Sequence, residues 1–215
     1  MTISADLSRR NILLGLTAMV LLGKSASGQE TSPIPSGVSN ALRSLHAENY
    51  TSLSGTYVFR VRNINTDEEV SVPIIHGSKS HLILNEQEFS RLDWLFRDWR
   101  ENISVRIDRR IYVFLYLLQV LSERIHGVRS HVELTSGFRT ERTNSMLRGI
   151  YPESVALNSL HTRGQAVDFR VAGLPARICA TLAWGLDLGG VGLYGDRFVH
   201  CDTGPRRRWG DPFPV

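Results

Sequence analysis

Ten residues, Ser159-Leu160-His161-Thr162-Arg163-Gly164-Gln165-Ala166-Val167-Asp168, followed later by Phe198-Val199-His200-Cys201-Asp202, constrain this chain more than any other feature. They supply two imidazoles and a carboxylate, a ligand set that suits a catalytic zinc with one open coordination position. That position would admit a water, which the metal acidifies toward neutral pH. For the three side chains to meet, the backbone must fold tightly between His161 and Asp168. The small residues Gly164 and Ala166 permit this. His161 then arrives from a loop, Asp168 from the strand that follows it, and His200 from a neighbouring strand. A structural zinc site would call for four ligands, usually with thiolates, and the two cysteines, Cys179 and Cys201, lack a close Cys-x-x-Cys spacing. The open, catalytic arrangement is therefore the better match.

Ser-x-His-x-x-Gly-x-Ala-x-Asp with a later His resembles the signature of zinc peptidases that act on bacterial cell-wall peptides, in particular the murein-endopeptidase branch of the M15 peptidases. The resemblance spans residues 53–209 and is most specific around the metal motif. It implies an α+β fold like that of the hedgehog and D-Ala-D-Ala-peptidase domains: a small antiparallel sheet backed by helices, with the zinc cleft on its open face. It implies a periplasmic hydrolase of amide bonds in peptidoglycan cross-links, with one zinc ion per chain and peptidoglycan peptides as its partners. The choice of endopeptidase over carboxypeptidase rests on the branch resemblance alone. The family also places an arginine near the metal in a turn like Ser136-Gly137-Phe138-Arg139. At Arg139 a guanidinium would hold a substrate carboxylate or steady a tetrahedral oxyanion.

A general base is less plainly written. Many members of the wider superfamily have an acid three residues before the last histidine, where this chain has Arg197. Asp196 and Asp202 are close in sequence. Strand alternation puts Asp202 on the same face as His200, so Asp202 is expected to take a proton from the water or to orient a ligand, with Asp196 as the alternative. If no base is present, the chain would be a zinc-containing domain that binds cell-wall peptide without cleaving it. A zinc carboxypeptidase or amidase acting on another peptide is a further alternative. Ser159 is expected to orient its loop through local hydrogen bonds, since no base in its motif would activate it as a nucleophile.

The N-terminus carries Ser8-Arg9-Arg10-Asn11-Ile12-Leu13-Leu14, an apolar run over residues 12–22, Lys24 and then Ala26-Ser27-Gly28. This order reads as a twin-arginine export signal over residues 1–28, with an apolar run too short for a comfortable membrane span. Residues 29–52 are expected to form a flexible spacer and a short helix, and residues 53–215 the peptidase domain, long enough to bury a real core. The formal charge of +4 falls to +2 once Asp6, Arg9, Arg10 and Lys24 leave with the signal. That is too little to argue nucleic-acid binding, and membrane contact is expected only during export.

Alternating residues predict a hairpin with a turn at residues 63–67 and a return strand over 69–75. Helical spacing of Phe89, Leu92, Leu95, Phe96 and Trp99 predicts a helix over 85–100, and a longer apolar helix follows over 107–127. A strand over 131–136 leads into the Arg139 turn, and a short helix is expected over 143–149. Strands are then expected over 166–171, 190–194 and 197–202, with a helix over 175–186 between the first two. Residues 205–215, with Arg206, Arg207 and Arg208 in a row, read as a solvated surface tail. Cys201 should face away from the metal, and two buried thiols are favoured over a disulfide.

Overall fold

The computed structural model describes residues 58–78 and 81–214; the export signal, spacer and first short helix expected from the sequence lie outside the described residues. A seven-stranded mixed sheet organises these residues. Its strands are β1 (Val58–Asn63), β2 (Glu69–Pro73), β5 (Val132–Ser136), β6 (Ala166–Val171), β7 (Gly190–Tyr194), β8 (Phe198–Asp202) and β9 (Arg207–Gly210). Their spatial order is β2-β1-β5-β6-β8-β7-β9, while β3 (Ile75–Ser78) and β4 (His81–Leu84) form a separate two-stranded ribbon. The expected hairpin is β1–β2, antiparallel. Most pairs are antiparallel, but β1–β5 and β7–β9 are parallel, so the α+β fold has a larger and more mixed sheet than expected.

Helices α1 (Glu86–Leu95), α2 (Arg109–His126), α3 (Glu141–Ile150) and α4 (Ala176–Leu186) complete the fold. The sequence explains the ends of α2. Asp108 accepts a hydrogen bond from the Arg110 backbone N–H at the N-cap, and Gly127 closes the helix in the left-handed conformation at φ 68°. The run between, from Ile111 to Val120, is buried throughout. Phe114 of α2 meets Phe169 of β6 edge to face, 6.2 Å between ring centres, and Tyr112 gathers Phe59, Phe89 and Phe96 around it. No helix among the described residues is long and apolar enough to cross a membrane.

Two expectations change here. Helix α1 stops at Leu95 although its apolar spacing runs on to Trp99. Beyond it, Phe96 gives its carbonyl to the Phe138 N–H, and Asp98 and Ile103 pair their backbones, so tertiary bonds capture the last turn. Likewise, the arginine-rich tail is not merely a solvated run: residues 207–210 form edge strand β9, parallel to β7.

Candidate active site

Strand register builds the site in two rows. Ser136, Asp168, His200, Gly192 and Trp209 lie side by side across β5, β6, β8, β7 and β9. One step along the strands, on the same face, stand Ala166, Asp202, Gly190 and Arg207. A β-bulge between Leu134 and Ser136 shifts β5 by one residue, which is what places Ser136 opposite Asp168.

His161 comes to this face on a single 3₁₀ turn, Leu160–Arg163. Ser159 caps the turn by accepting from the His161 N–H at 3.3 Å, as the sequence suggested. Gly164 ends it in the left-handed conformation at φ 65°, where a Cβ would also stand 2.9 Å from the Arg106 carbonyl oxygen. The Gly164 carbonyl accepts from the Asp108 N–H at 2.9 Å, pinning the loop to the start of α2.

Three atoms converge. His161 Nε2 is 3.3 Å from His200 Nδ1 and 3.3 Å from Asp168 Oδ1, and His200 Nδ1 is 2.8 Å from Asp168 Oδ1. The protons on the outer ring nitrogens follow from their partners. A carbonyl can only accept, so His161 Nδ1, 2.7 Å from the Gly137 oxygen, is the donor and Nε2 is left to face inward. His200 Nε2 donates to Asp202 Oδ2 at 3.1 Å, which turns Nδ1 toward the same point. Two imidazoles with oriented rings and one carboxylate therefore form a candidate tridentate metal site whose donors suit a divalent ion.

The electrostatics differ between the two imidazoles. Burial pushes His161 down to about 4, with the Arg139 charge acting in the same direction, so its ring is neutral as a ligand must be. Burial would raise Asp168, but the neighbouring His161 and Arg139 hold it well below the usual carboxylate range. Burial pulls His200 down, while its hydrogen bonds to Asp168 and Asp202 prevail and raise it.

The structure brings Arg139 to the site, in contact with a ligand. Its Nε donates to Ser136 Oγ at 2.8 Å, and its Nη2 donates to Asp168 Oδ2. The turn that carries it needs a glycine, since a Cβ on Gly137 would lie 2.3 Å from the Phe96 carbonyl oxygen. Arg139 thus holds one oxygen of Asp168 and leaves the other facing the two histidines.

Asp202 is on the His200 face, as alternation required, but it stands behind the ring and away from Asp168. It is fully buried. Oδ1 accepts from the N–H groups of Gly190 and Gly204 and from Arg207 Nη1. Oδ2 accepts from His200 Nε2 and Arg207 Nη2. Burial would raise its pKa, yet these bonds, that from His200 foremost, bring it down to about 2. A carboxylate so engaged, on the far side of the imidazole, is poorly placed to collect a proton at the metal position. The expectation of a general base at Asp202 meets this geometric obstacle; the alternative role, orienting His200, fits it. Asp196 is exposed in the β7–β8 turn, outside β8, which starts at Phe198.

The sequence reading missed Arg207 and Trp209. Arg207 chelates Asp202, and the Trp209 ring packs 5.1 Å from that of His200. Both need the glycines of β7. A Cβ on Gly190 would stand 2.6 Å from Asp202 Oδ2, and one on Gly192 would stand 2.6 Å from the Trp209 indole. The Trp209 Nε1–H donates to the Tyr194 hydroxyl at 2.9 Å. The signal was the paired alternation of Gly190 with Gly192 and of Arg207 with Trp209, small residues under large ones. Cys179 and Cys201 are free and buried on the other face, and burial pushes the Cys179 thiol up to about 12.

This chain is similar to known proteins over nearly all of the described region. The family model described as peptidoglycan L,D-endopeptidase MepK matches residues 51–209. The peptidoglycan L,D-endopeptidase MepK of Escherichia coli (strain K12) is 36% identical over 153 residues, 71% of this chain and 79% of that protein. The probable peptidoglycan L,D-endopeptidase MepK of Haemophilus influenzae is 35% identical over 156 residues, 71% of this chain and 78% of its own length. Matched over this extent, with the His161–Asp168–His200 cluster inside the matched residues, the chain belongs to the MepK family of M15 peptidases.

Proposed function

We propose that this protein is a zinc peptidase that hydrolyses amide bonds in peptidoglycan peptide cross-links. The observation that carries the proposal is the convergence of His161 Nε2, Asp168 Oδ1 and His200 Nδ1 on one point, with both outer ring nitrogens already committed as donors. Two histidines and one carboxylate match the ligand set of zinc sites that keep a position open for chemistry. When bound, zinc polarises the scissile carbonyl and lowers the pKa of a water toward neutrality.

The chain's own residues supply orientation. The Gly137 carbonyl fixes the His161 tautomer, and Asp202, clamped by Arg207, fixes that of His200. Arg139 holds Asp168 in its ionised form and aims Oδ1. Trp209 walls one side of the His200 ring and limits its tilt. In this reading Asp202 and Arg139 are positioning residues, and the substrate meets the metal position and its rim.

The substrate class follows from the relatives, which are named for peptidoglycan and for an L,D bond. A protein with that substrate works outside the cytoplasm. The Ser8-Arg9-Arg10 motif, the apolar run behind it and Ala26-Ser27-Gly28 support export to the periplasm by the twin-arginine route.

The test is a digest of cross-linked muropeptides by the purified mature chain, with added zinc and with a chelator, resolved by chromatography. Conversion of cross-linked dimers to monomers with zinc, abolished by the chelator and restored by zinc, supports the proposal. Peptide binding with no cleavage under any metal condition would replace it by a non-catalytic cell-wall-binding domain.

A further inference from the structure

The segment between α1 and α2 folds back on itself and brings the backbone of Arg100 close to that of Thr140, the neighbour of Arg139. Phe96 O accepts from the Phe138 N–H at 2.8 Å, Asp98 and Ile103 pair their backbones, and Asn102 closes the loop with φ 53°. The anchor is the buried carboxylate of Asp98. Its Oδ2 accepts from the N–H and the hydroxyl of Thr140, each at 2.9 Å, and its Oδ1 accepts from the Arg100 N–H at 3.1 Å. Thr140 follows Arg139 directly. One carboxylate thus ties the backbone of Arg100 to that of the residue beside Arg139.

The arginines here differ in what they hold. Arg97 donates to Glu68, to Asn102 and to the Trp94 carbonyl. Arg139 is committed to Ser136 and to Asp168. Arg100 is exposed at the loop tip, its guanidinium lying 4.2 Å from the centre of the Trp99 ring. Among the described residues no carboxylate lies within ion-pair distance of it. Partial burial lowers its pKa, Asp98 opposes that shift, and the charge of Arg139 adds to it more weakly. An exposed guanidinium stacked on an indole, on a loop tied to the residue beside Arg139 and without an ion pair among the described residues, is arranged to receive an anion.

We propose that Arg100 is a specificity-determining residue that binds a free carboxylate of the peptide substrate, beside the amide that is cut. The inference rests on the peptidase reading above and names what that site selects. Peptidoglycan stem peptides are anionic, and a carboxylate suits the planar, two-pronged donor face of a guanidinium. Stacking on Trp99 restricts the side chain before substrate arrives, which reduces the entropy lost on binding.

The test compares Arg100→Gln and Arg100→Lys with the parent chain, all zinc-loaded and matched for zinc content and melting temperature. Two probes are used: a cross-linked muropeptide with a free carboxylate next to the scissile bond, and the same peptide with that group as a carboxamide. Cleavage kinetics and calorimetric binding are both read. Arg100→Gln is expected to raise KM and Kd for the carboxylate peptide about tenfold or more, with kcat changed far less. The parent's preference for carboxylate over carboxamide should vanish in that variant, and Arg100→Lys should recover part of it. Equal losses on both peptides, no loss on either, or binding of neither by the parent chain would overturn the inference. If the parent binds the carboxylate peptide preferentially through Arg100 but cleaves neither, the peptidase reading fails while the role of Arg100 stands. If the parent cleaves both without preference, the role of Arg100 fails while the peptidase reading stands.

Discussion

The two faces of the central sheet share one backbone ladder and obey opposite chemistry. On one face, Leu134, Phe169, Val199 and Leu193 line up across β5, β6, β8 and β7, with Val167, Cys201 and Val191 in the next row, all buried. On the other face the corresponding positions are Ser136, Asp168, His200 and Gly192, then Ala166, Asp202 and Gly190. Side chains one residue apart along a strand thus belong to different machines. The apolar face gains free energy simply by leaving water. The polar face buries charged groups, which is tolerable only because every one shown there has a partner: Asp168 has Arg139, and Asp202 has Arg207. The comparison teaches that stability and chemistry are divided here by strand alternation, not by segment.

The division can be broken most forcefully from the apolar side. Phe169→Ala removes a fully buried ring that meets Phe114, and should destabilise the fold by about 3–5 kcal/mol. Denaturant titration is the measurement, and zinc content of the fraction still folded should be close to one per chain. A small stability change together with loss of metal would mean that the two faces are not separable.

Asp202→Asn tests the polar side. Both oxygens of Asp202 accept only, so an amide must turn its NH₂ toward donors whichever way it flips. Zinc affinity should fall about 10–100-fold, the usual cost of losing the partner that orients a metal-binding histidine. Unchanged zinc affinity with abolished hydrolysis would instead make Asp202 the proton acceptor. The same carboxylate has an acid signature in the metal-free protein. Its pKa is lowered on folding from 3.8 to about 2, so its stabilisation of about 2 kcal/mol is present above pH 4 and fades as pH falls from 3.8 toward 2. The stability gap between the parent and Asp202→Asn should narrow over that window, and a constant gap would contradict the role assigned to the ionised form.

The smallest expected effect concerns Cys179 and Cys201. Both thiols are buried on the apolar face, and burial keeps them protonated. A thiol reagent should label neither in the native protein and two per chain after denaturation. Fewer than two under denaturing, non-reducing conditions would reveal a bridge.

The contrast also explains what was legible in the sequence. Alternation in residues 166–171 and 198–202 sorts Asp168 and His200 from Val167, Phe169, Val199 and Cys201 without any knowledge of tertiary structure, and Gly164 marks the reversal that brings in His161. What the chain did not disclose depended on contacts distant in sequence. Arg207 and Trp209 sit in a basic, proline-flanked stretch that reads as solvated, and only parallel pairing with β7 turns it into the wall of the site. Helix α1 ends early because Asp98 is claimed by Thr140, 42 residues away, a bond that no local pattern announces. The role of Asp202 was open for a related reason. Alternation fixes its face, but which side of the imidazole it touches depends on the ring's rotamer.

The central claim is that one metal ion sits between His161, Asp168 and His200, and elemental analysis of purified mature protein tests it most directly. The parent chain should carry about one zinc per chain after equilibration with zinc and removal of the excess. His161→Ala and His200→Ala should each lose most of it while keeping the parent's far-ultraviolet circular dichroism, because both side chains lie on the polar face. Full zinc retention in both variants would contradict the claim.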